Sequence, residues 1–282
     1  MTRSIVAAFA RHLGLTVAAA MLVCLFVKHS TALATDLLAP PDGWRVYKIS
    51  ELSDPDRECV GQAWVNRFAR VSNGVLKLSS GPVVMPGPLD VPYAGGRLVG
   101  QDLGEWGGRL EWIAPEGSMR SPILAENTQS LVRSPTGNFL LTGSDGWGVA
   151  VDGWGTVGEG KIWRLSDESV SPPNAVLVAN LEGAPRASFL SPDGSIVIVT
   201  SAQVIRLSPS GSAETILRVD FRGLFPNSIV EMADGVIYIG MRHFLVRLVP
   251  TGGGYQLAWL LPADCPQFHP ADHDCVCSAP AP

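Results

Sequence analysis

The chain has 282 residues, of which 21 are basic and 26 acidic, with 46% apolar residues, 30 glycines and 22 prolines. An acidic balance argues against a nucleic-acid partner, whose phosphates require a basic face. Gly and Pro punctuate the whole length, and beyond residue 34 no apolar stretch keeps a helical period, so the composition points to an all-β chain.

The first element is an export signal. Arg3 and Arg11 lie before the apolar run Leu13 to Val27, and Ala32-Leu-Ala34 forms a small-x-small cleavage site, so residues 1–34 read as a signal peptide and the mature chain begins at Thr35. The run is 15 residues long, short of the roughly 20 that a spanning helix needs, and stable membrane insertion is not expected. Lys28, between the run and the cleavage site, leaves a retained anchor as the alternative reading. Cys24 follows Val23 rather than the small residue that lipidation requires. Cleavage would take the basic residues from 21 to 18 and leave 26 acids, a net charge of −8, on about 248 residues. That length suits one β domain over 35–262, followed by a Cys/His/Pro-rich tail over 263–282, in a periplasmic or secreted protein.

Strands then recur. The segments 131–144 (LVRSPTGNFLLTGS), 188–201 (SFLSPDGSIVIVTS) and 229–242 (IVEMADGVIYIGMR) each read as a strand, a tight turn with glycine, and a second apolar strand. Third strands follow at KIWRLSD (161–167), QVIRLSP (203–209) and FLVRLVP (244–250), then a fourth, while PYAGGRLVGQD, GRLEWIAP and SPILAEN form an earlier copy. The turn glycines Gly96, Gly137, Gly194 and Gly235 are 41, 57 and 41 residues apart, the period of a β-propeller blade with one insertion. Residues 62–81 hold another strand, Asn-Gly turn and strand, which either open a fifth blade or supply strands that close the ring. The expectation is a small β-propeller of about four to five four-stranded blades, clear from about residue 85; a β-sandwich or an open set of hairpins would share the same local pattern.

Segments 226–240 (PNSIVEMADGVIYIG) and 190–201 (LSPDGSIVIVTS) resemble blades of the regucalcin and gluconolactonase group and of NHL-type and quinoprotein-like propellers. The resemblance spans roughly residues 85–262 and rests on turn and strand motifs, which specify fold more than function. In the regucalcin-like group the Asn of the Pro-Asn pair is a metal ligand, so the resemblance implies Asn227 as a ligand of a divalent ion. Glu182 and Asp102 are loosely placed acidic candidates beside it.

A propeller gathers its fourth-to-first and second-to-third strand loops on one face. Eight residues before each turn glycine, where an innermost strand begins, stand Asn66, Gln129, Arg186 and Asn227, polar ahead of apolar strands. Arg186 could hold a carboxylate or phosphate by a two-pronged contact; equally, any channel mouth is wet and polar. The loop 241–243 brings Arg242 and His243 to this face, and the loop 101–108 brings Trp106. The insertion 144–160 repeats DGWG, with Trp147 and Trp154 either offered to a sugar ring or flat apolar surface or packed down on the sheet by two Asp-Gly turns. No G-x-S-x-G, Walker loop or H-E-x-x-H occurs. The reading is therefore an exported, non-catalytic propeller that binds a partner protein, glycan or small molecule, with no cofactor predicted. A metal-dependent hydrolase or lactonase of regucalcin-like type is the alternative, and whether the chain is an enzyme stays open.

The tail crowds Cys265, His269, His273, Cys275 and Cys277 together. The mature chain has four cysteines, these three and Cys59, an even set in an oxidising compartment. Cys275 with Cys277 would make a very small strained ring, so Cys59 is expected to pair with one of those two and Cys265 with the other. The rival reading places Cys265, His269, His273, Cys275 and Cys277 around zinc or copper, although their spacing matches no familiar zinc module.

Overall fold

The computed structural model describes residues 39–48, 53–83, 87–117, 119–145, 149–150, 153–154, 158–265, 268–271 and 274–277. The signal reading on 1–34 lies outside them. Met1–Asp42 and Gly43–Pro282 are separate units, and the fold belongs to the second.

After strand β1 (Trp44–Tyr47) comes helix α1 (Asp54–Gly61), then the hairpin β2 (Val65–Ser72) and β3 (Val75–Pro82). Four meanders follow. Blade 1 holds β4 (Leu89–Tyr93), β5 (Gly96–Asp102), β6 (Gly108–Ile113) and β7 (Arg120–Leu124). Blade 2 begins with β8 (Thr128–Ser134) and β9 (Gly137–Asp145), is interrupted by the small hairpin β10 (Val149–Ala150) and β11 (Gly153–Trp154), and ends with β12 (Gly158–Leu165) and β13 (Ala175–Glu182). Blade 3 holds β14 (Pro185–Leu190), β15 (Ile196–Thr200), β16 (Gln203–Leu207) and β17 (Ala213–Arg218). Blade 4 holds β18 (Ser228–Glu231), β19 (Ile237–Gly240), β20 (Leu245–Thr251) and β21 (Gly254–Pro262), and the tail ends in the hairpin β22 (Phe268–Ala271) and β23 (Asp274–Cys277).

Blades stack where a central strand is apolar on both faces. All five residues of β15 are buried, so its two sides must each meet another sheet. One side contributes Ile196 and Ile198 to a core with Phe139, Leu141 and Ile162 of blade 2. The other contributes Val197 and Val199 to a core with Ile229, Ile237 and Ile239 of blade 4. Blades 1 and 2 meet likewise through Leu98, Leu110 and Trp112 against Leu140 and Leu165. On the outermost strand of blade 2, farther from these cores, Val176 and Leu177 are exposed. The propeller expected from the repeat is present, with four complete blades and a fifth sheet of two strands, β2 and β3.

The N-terminal segments meet the last blade in two ways. β1 adds a fifth, outer strand to blade 4, in register from Trp44 opposite Pro262 to Tyr47 opposite Trp259. The β2–β3 hairpin turns at Asn73 and Gly74, both at positive φ, the type I′ geometry that Asn-Gly favours. Its strand β2 packs on β18 and β19. The approach is close: a Cβ on Gly240 would lie 2.2 Å from the Arg67 carbonyl oxygen. The Ala69 amide donates to Ser228 Oγ at 3.0 Å across the same junction.

Helix α1 starts at a capping box, with Ser53 Oγ accepting from the Asp56 amide at 3.2 Å and Asp56 Oδ2 accepting from the Ser53 amide at 3.3 Å. It turns Cys59 and Val60 into the core of blade 4. Cys59 is bonded to Cys275 and Cys265 to Cys277, each with Cα atoms 5.0 Å apart. The tail cysteines named in the metal reading, Cys265, Cys275 and Cys277, are the ones joined in these two disulfides. His273 lies outside the described residues, and His269 is described only by its backbone in β22.

The Cys59–Cys275 bond spans 216 residues and the Cys265–Cys277 bond 12. In the chain-entropy model these closures contribute about 5 and about 3 kcal/mol. Replacing Cys59 and Cys275 by Ala should therefore lower the urea-unfolding free energy about 2 kcal/mol more than replacing Cys265 and Cys277. Equal losses would show that the long closure does not dominate.

Candidate functional site

Antiparallel pairing sets the start of each inner strand opposite the end of the second. Asn66 faces Gly81, Thr128 faces Thr142, Pro185 faces Thr200 and Ser228 faces Gly240. Asn66, Gln129, Arg186 and Asn227 thus share one end of the sheets with the second-to-third strand loops, and the structure gives each a distinct environment.

Gln129 ties blade 1 to blade 2: its Nε2 donates to Asp102 Oδ2 at 2.7 Å and to the Gly143 carbonyl at 2.8 Å. Beside it, the Glu126 carboxylate accepts from Thr142 Oγ1 at 2.6 Å, from Trp163 Nε1 at 3.0 Å and from Lys161 Nζ. Burial alone would raise the pKa of Glu126, but these three donors hold it below the ordinary glutamate range.

Arg186 finds its carboxylate within the protein. Its Nε donates to Asp145 Oδ2 at 2.7 Å, and its Nη2 donates to the same oxygen. Asp145 Oδ1 accepts from the Ala184 amide at 3.0 Å and from Ser201 Oγ at 3.1 Å, and only 5% of the Asp145 side chain is exposed. The pocket admits no larger neighbour, since a Cβ on Gly158 would stand 2.1 Å from Asp145 Oδ1. Sequence reasoning took Asp145 as a turn residue at the root of the insertion. The signal it carried was its place at the end of a second strand, one blade before an arginine that begins an inner strand.

Arg242 and Asn227 flank blade 4. The Arg242 guanidinium lies 3.8 Å from the centre of the Phe225 ring, its Nη1 donates to the Gly61 carbonyl, and its Nε is buried without a hydrogen-bond partner. Burial, and then the nearby Arg186 charge, lower its pKa from the ordinary arginine value. The backbone of Asn66 pairs with that of Arg242 in an isolated antiparallel β-bridge, and Asn66 is 6% exposed. Asn227 Oδ1 accepts from Ser228 Oγ at 3.0 Å, while its Nδ2 is buried without a partner. Ser228 Oγ already accepts from the Ala69 amide, so its proton is left for Asn227 and the amide orientation follows. The acidic candidates for a metal beside Asn227 are engaged elsewhere: Asp102 by Gln129 on blade 1, and Glu182 by Arg218 on the outer edge of blade 2. Among the described residues no three His, Cys, Asp or Glu side chains gather as a metal site.

His243 does not reach the open face. It is 2% exposed, at positive φ, with Nε2 2.7 Å from the Cys275 carbonyl oxygen and its ring 5.4 Å from Phe268. The reason is the tail hairpin, which covers the loop that the repeat alone would leave open. Trp106 is 83% exposed on a 3-10 turn, Gly104–Trp106. Trp147 lies outside the described residues, and Trp154 is described by its backbone pairing with Val149. Between blades 2 and 3, at this same end, opens a cavity of about 730 Å³ whose walls include Gly160, Glu182, Ser201, Asp220 and Arg222.

No protein-family model and no curated protein sequence matches the chain. Solved structures do. The fold is a β-propeller. The chain is similar to the virginiamycin B lyase from Staphylococcus aureus (11% identity, TM-score 0.38, covering 70% of this chain and 69% of that one). It is also similar to a calcium-binding regucalcin from Agrobacterium tumefaciens (16%, 0.38, 64% and 62%) and to a streptogramin B lyase (12%, 0.36, 61% and 57%). It spans under two thirds of the last two.

Two outcomes test these junctions. Asp145→Ala removes the acceptor from Arg186 and from the Ala184 amide, and should cost about 3 kcal/mol in chemical denaturation; a loss under about 1 kcal/mol would show the pair to be surface-like. Because the folded pKa of Glu126 is depressed, its contribution is present above the unfolded glutamate pKa and is lost as pH falls through the folded one. Glu126→Gln should therefore flatten the acid limb of stability against pH; an unchanged limb would place the titration elsewhere.

Proposed function

We propose that this is an exported, non-catalytic propeller that binds a partner protein, glycan or small molecule on its loop face, in the periplasm or outside the cell. The observation that carries the reading is the presentation of Trp106. A tryptophan 83% exposed beside Leu103 at 52% is held on a turn that is itself pinned. Asn127, buried in the linker to blade 2, accepts from the Leu103 amide at 2.9 Å and donates to the Gly104 carbonyl at 2.7 Å. Asp102 Oδ1 accepts from the Gly104 amide at 2.9 Å. A turn held by three hydrogen bonds that keeps an apolar ring in water is preorganised for contact. Gln129, Arg186, Asn66, Asn227 and Arg242 form the polar floor of the proposed face.

Export agrees with the two disulfides, and among the described residues no helix is long and apolar enough to cross a membrane. The test is a glycan and small-molecule survey by thermal shift on the exported form, followed by titration of the hit. Trp106→Ala should weaken binding at least about tenfold while leaving the melting temperature within about 2 °C. A large melting loss in that variant would instead make the ring structural and remove the basis of the proposal.

A further inference from the structure

Arg186 shows in this molecule what the Nε–Nη2 edge of a guanidinium grips: the carboxylate of Asp145. Arg242 presents the same edge with nothing in it. Its Nη1 is committed to the Gly61 carbonyl and its flat face rests on Phe225. Its Nε is buried and unpartnered, and Nη2 has no hydrogen-bond partner among the described residues. The nearest charge known to act on it is another cation, Arg186. A buried N–H without an acceptor is costly, and natural structures keep few of them; the Nε–H and Nη2–H pair is moreover the fork that matches two oxygens of a carboxylate or phosphate.

From this geometry we propose that the unpaired edge of Arg242 is an oxyanion site, so that the ligand of the loop face carries a carboxylate or a phosphate group bound there. The inference rests on the binding function proposed above and adds the charge class of the ligand. Phe225 and the Gly61 carbonyl hold the guanidinium plane, so the anion has only to uncover Nε and not to reorient the fork. Asn66, which bridges Arg242 across the blade 4 junction, is neutral and leaves the charge uncompensated. A divalent cation at Asn227 would instead sit on a blade whose loop carries a cation without an internal counter-charge.

The test is thermal shift and calorimetric titration of the full mature chain at low ionic strength with inorganic phosphate in one arm and glucuronate in the other, against sodium chloride. One of the two should stabilise saturably, and the arm that does identifies the source. Arg242→Gln should weaken that binding at least about tenfold, while Arg242→Lys retains part of it. Asn66→Asp sets a carboxylate opposite Arg242 in the bridge; it should abolish the oxyanion response while holding or raising the melting temperature, a direction that misfolding cannot mimic. The proposal is overturned if neither anion stabilises the wild type, or if Asn66→Asp folds and responds as before. Trp106→Ala run alongside separates the two ideas: loss of ligand binding there, with no anion response anywhere, would leave the binding face standing and remove only the oxyanion site.

Discussion

A β-sheet that is apolar on both faces cannot stand in water, and the central strands of blades 3 and 4 are built that way. Ile196 to Thr200 are all buried, as are Ile237 to Gly240 and the first five residues of β20. Both blades must therefore be covered on two sides, and blade 4, at the end of the series, needs something further. Blade 4 takes the β2–β3 hairpin against its inner strands, β1 along its outer edge, and α1 with the tail hairpin around Phe244 and Trp259. The long disulfide then joins the helix to the tail, so the segments that cover the last blade hold one another in place.

The same constraint shapes the loop face. Blades that pack by apolar strands leave their strand ends polar, and those ends meet across each junction. Gln129 with Asp102 and Arg186 with Asp145 close two junctions with internal partners, and Glu126 with Lys161 fastens the linker after blade 1 onto blade 2. The junction of blade 4 with the two-stranded sheet differs. There the close approach of Arg67 over Gly240 is made by backbone, and the arginine of that loop meets a carbonyl and an aromatic ring rather than a carboxylate. Polar groups on this face thus divide into those that fasten the sheets and those left with capacity to bind.

Much of the architecture was legible because a strand, a glycine turn and a second strand are local events. The turns at Gly194 and Gly235 sit at φ near +80°, which glycine adopts at little cost, and the 57-residue spacing correctly placed an insertion that folds partly as the hairpin β10–β11. The set of polar strand starts was legible by counting from those glycines. Their partners were not. Asp145 lies 41 residues from Arg186 and Gly61 lies 181 from Arg242, and nothing local marks such pairs. His243 read as a loop residue near the face because the tail that buries it is 32 residues further on.

The amino-acid sequence by itself determined the blades: their number of strands, their turn positions, the apolar faces that force stacking and the polar residues that end each inner strand. It also restricted the cysteine pairings to two, since neighbours two apart close too small a ring. Only the tertiary structure decided that Cys59 meets Cys275, that β1 joins blade 4, and that Arg186 is internally satisfied while Arg242 is not. The reason is range. Dihedral preference and hydrophobic period act over a few residues, whereas the charge and hydrogen-bond state of a guanidinium is set by whichever distant strands the packing of two-faced sheets brings against it.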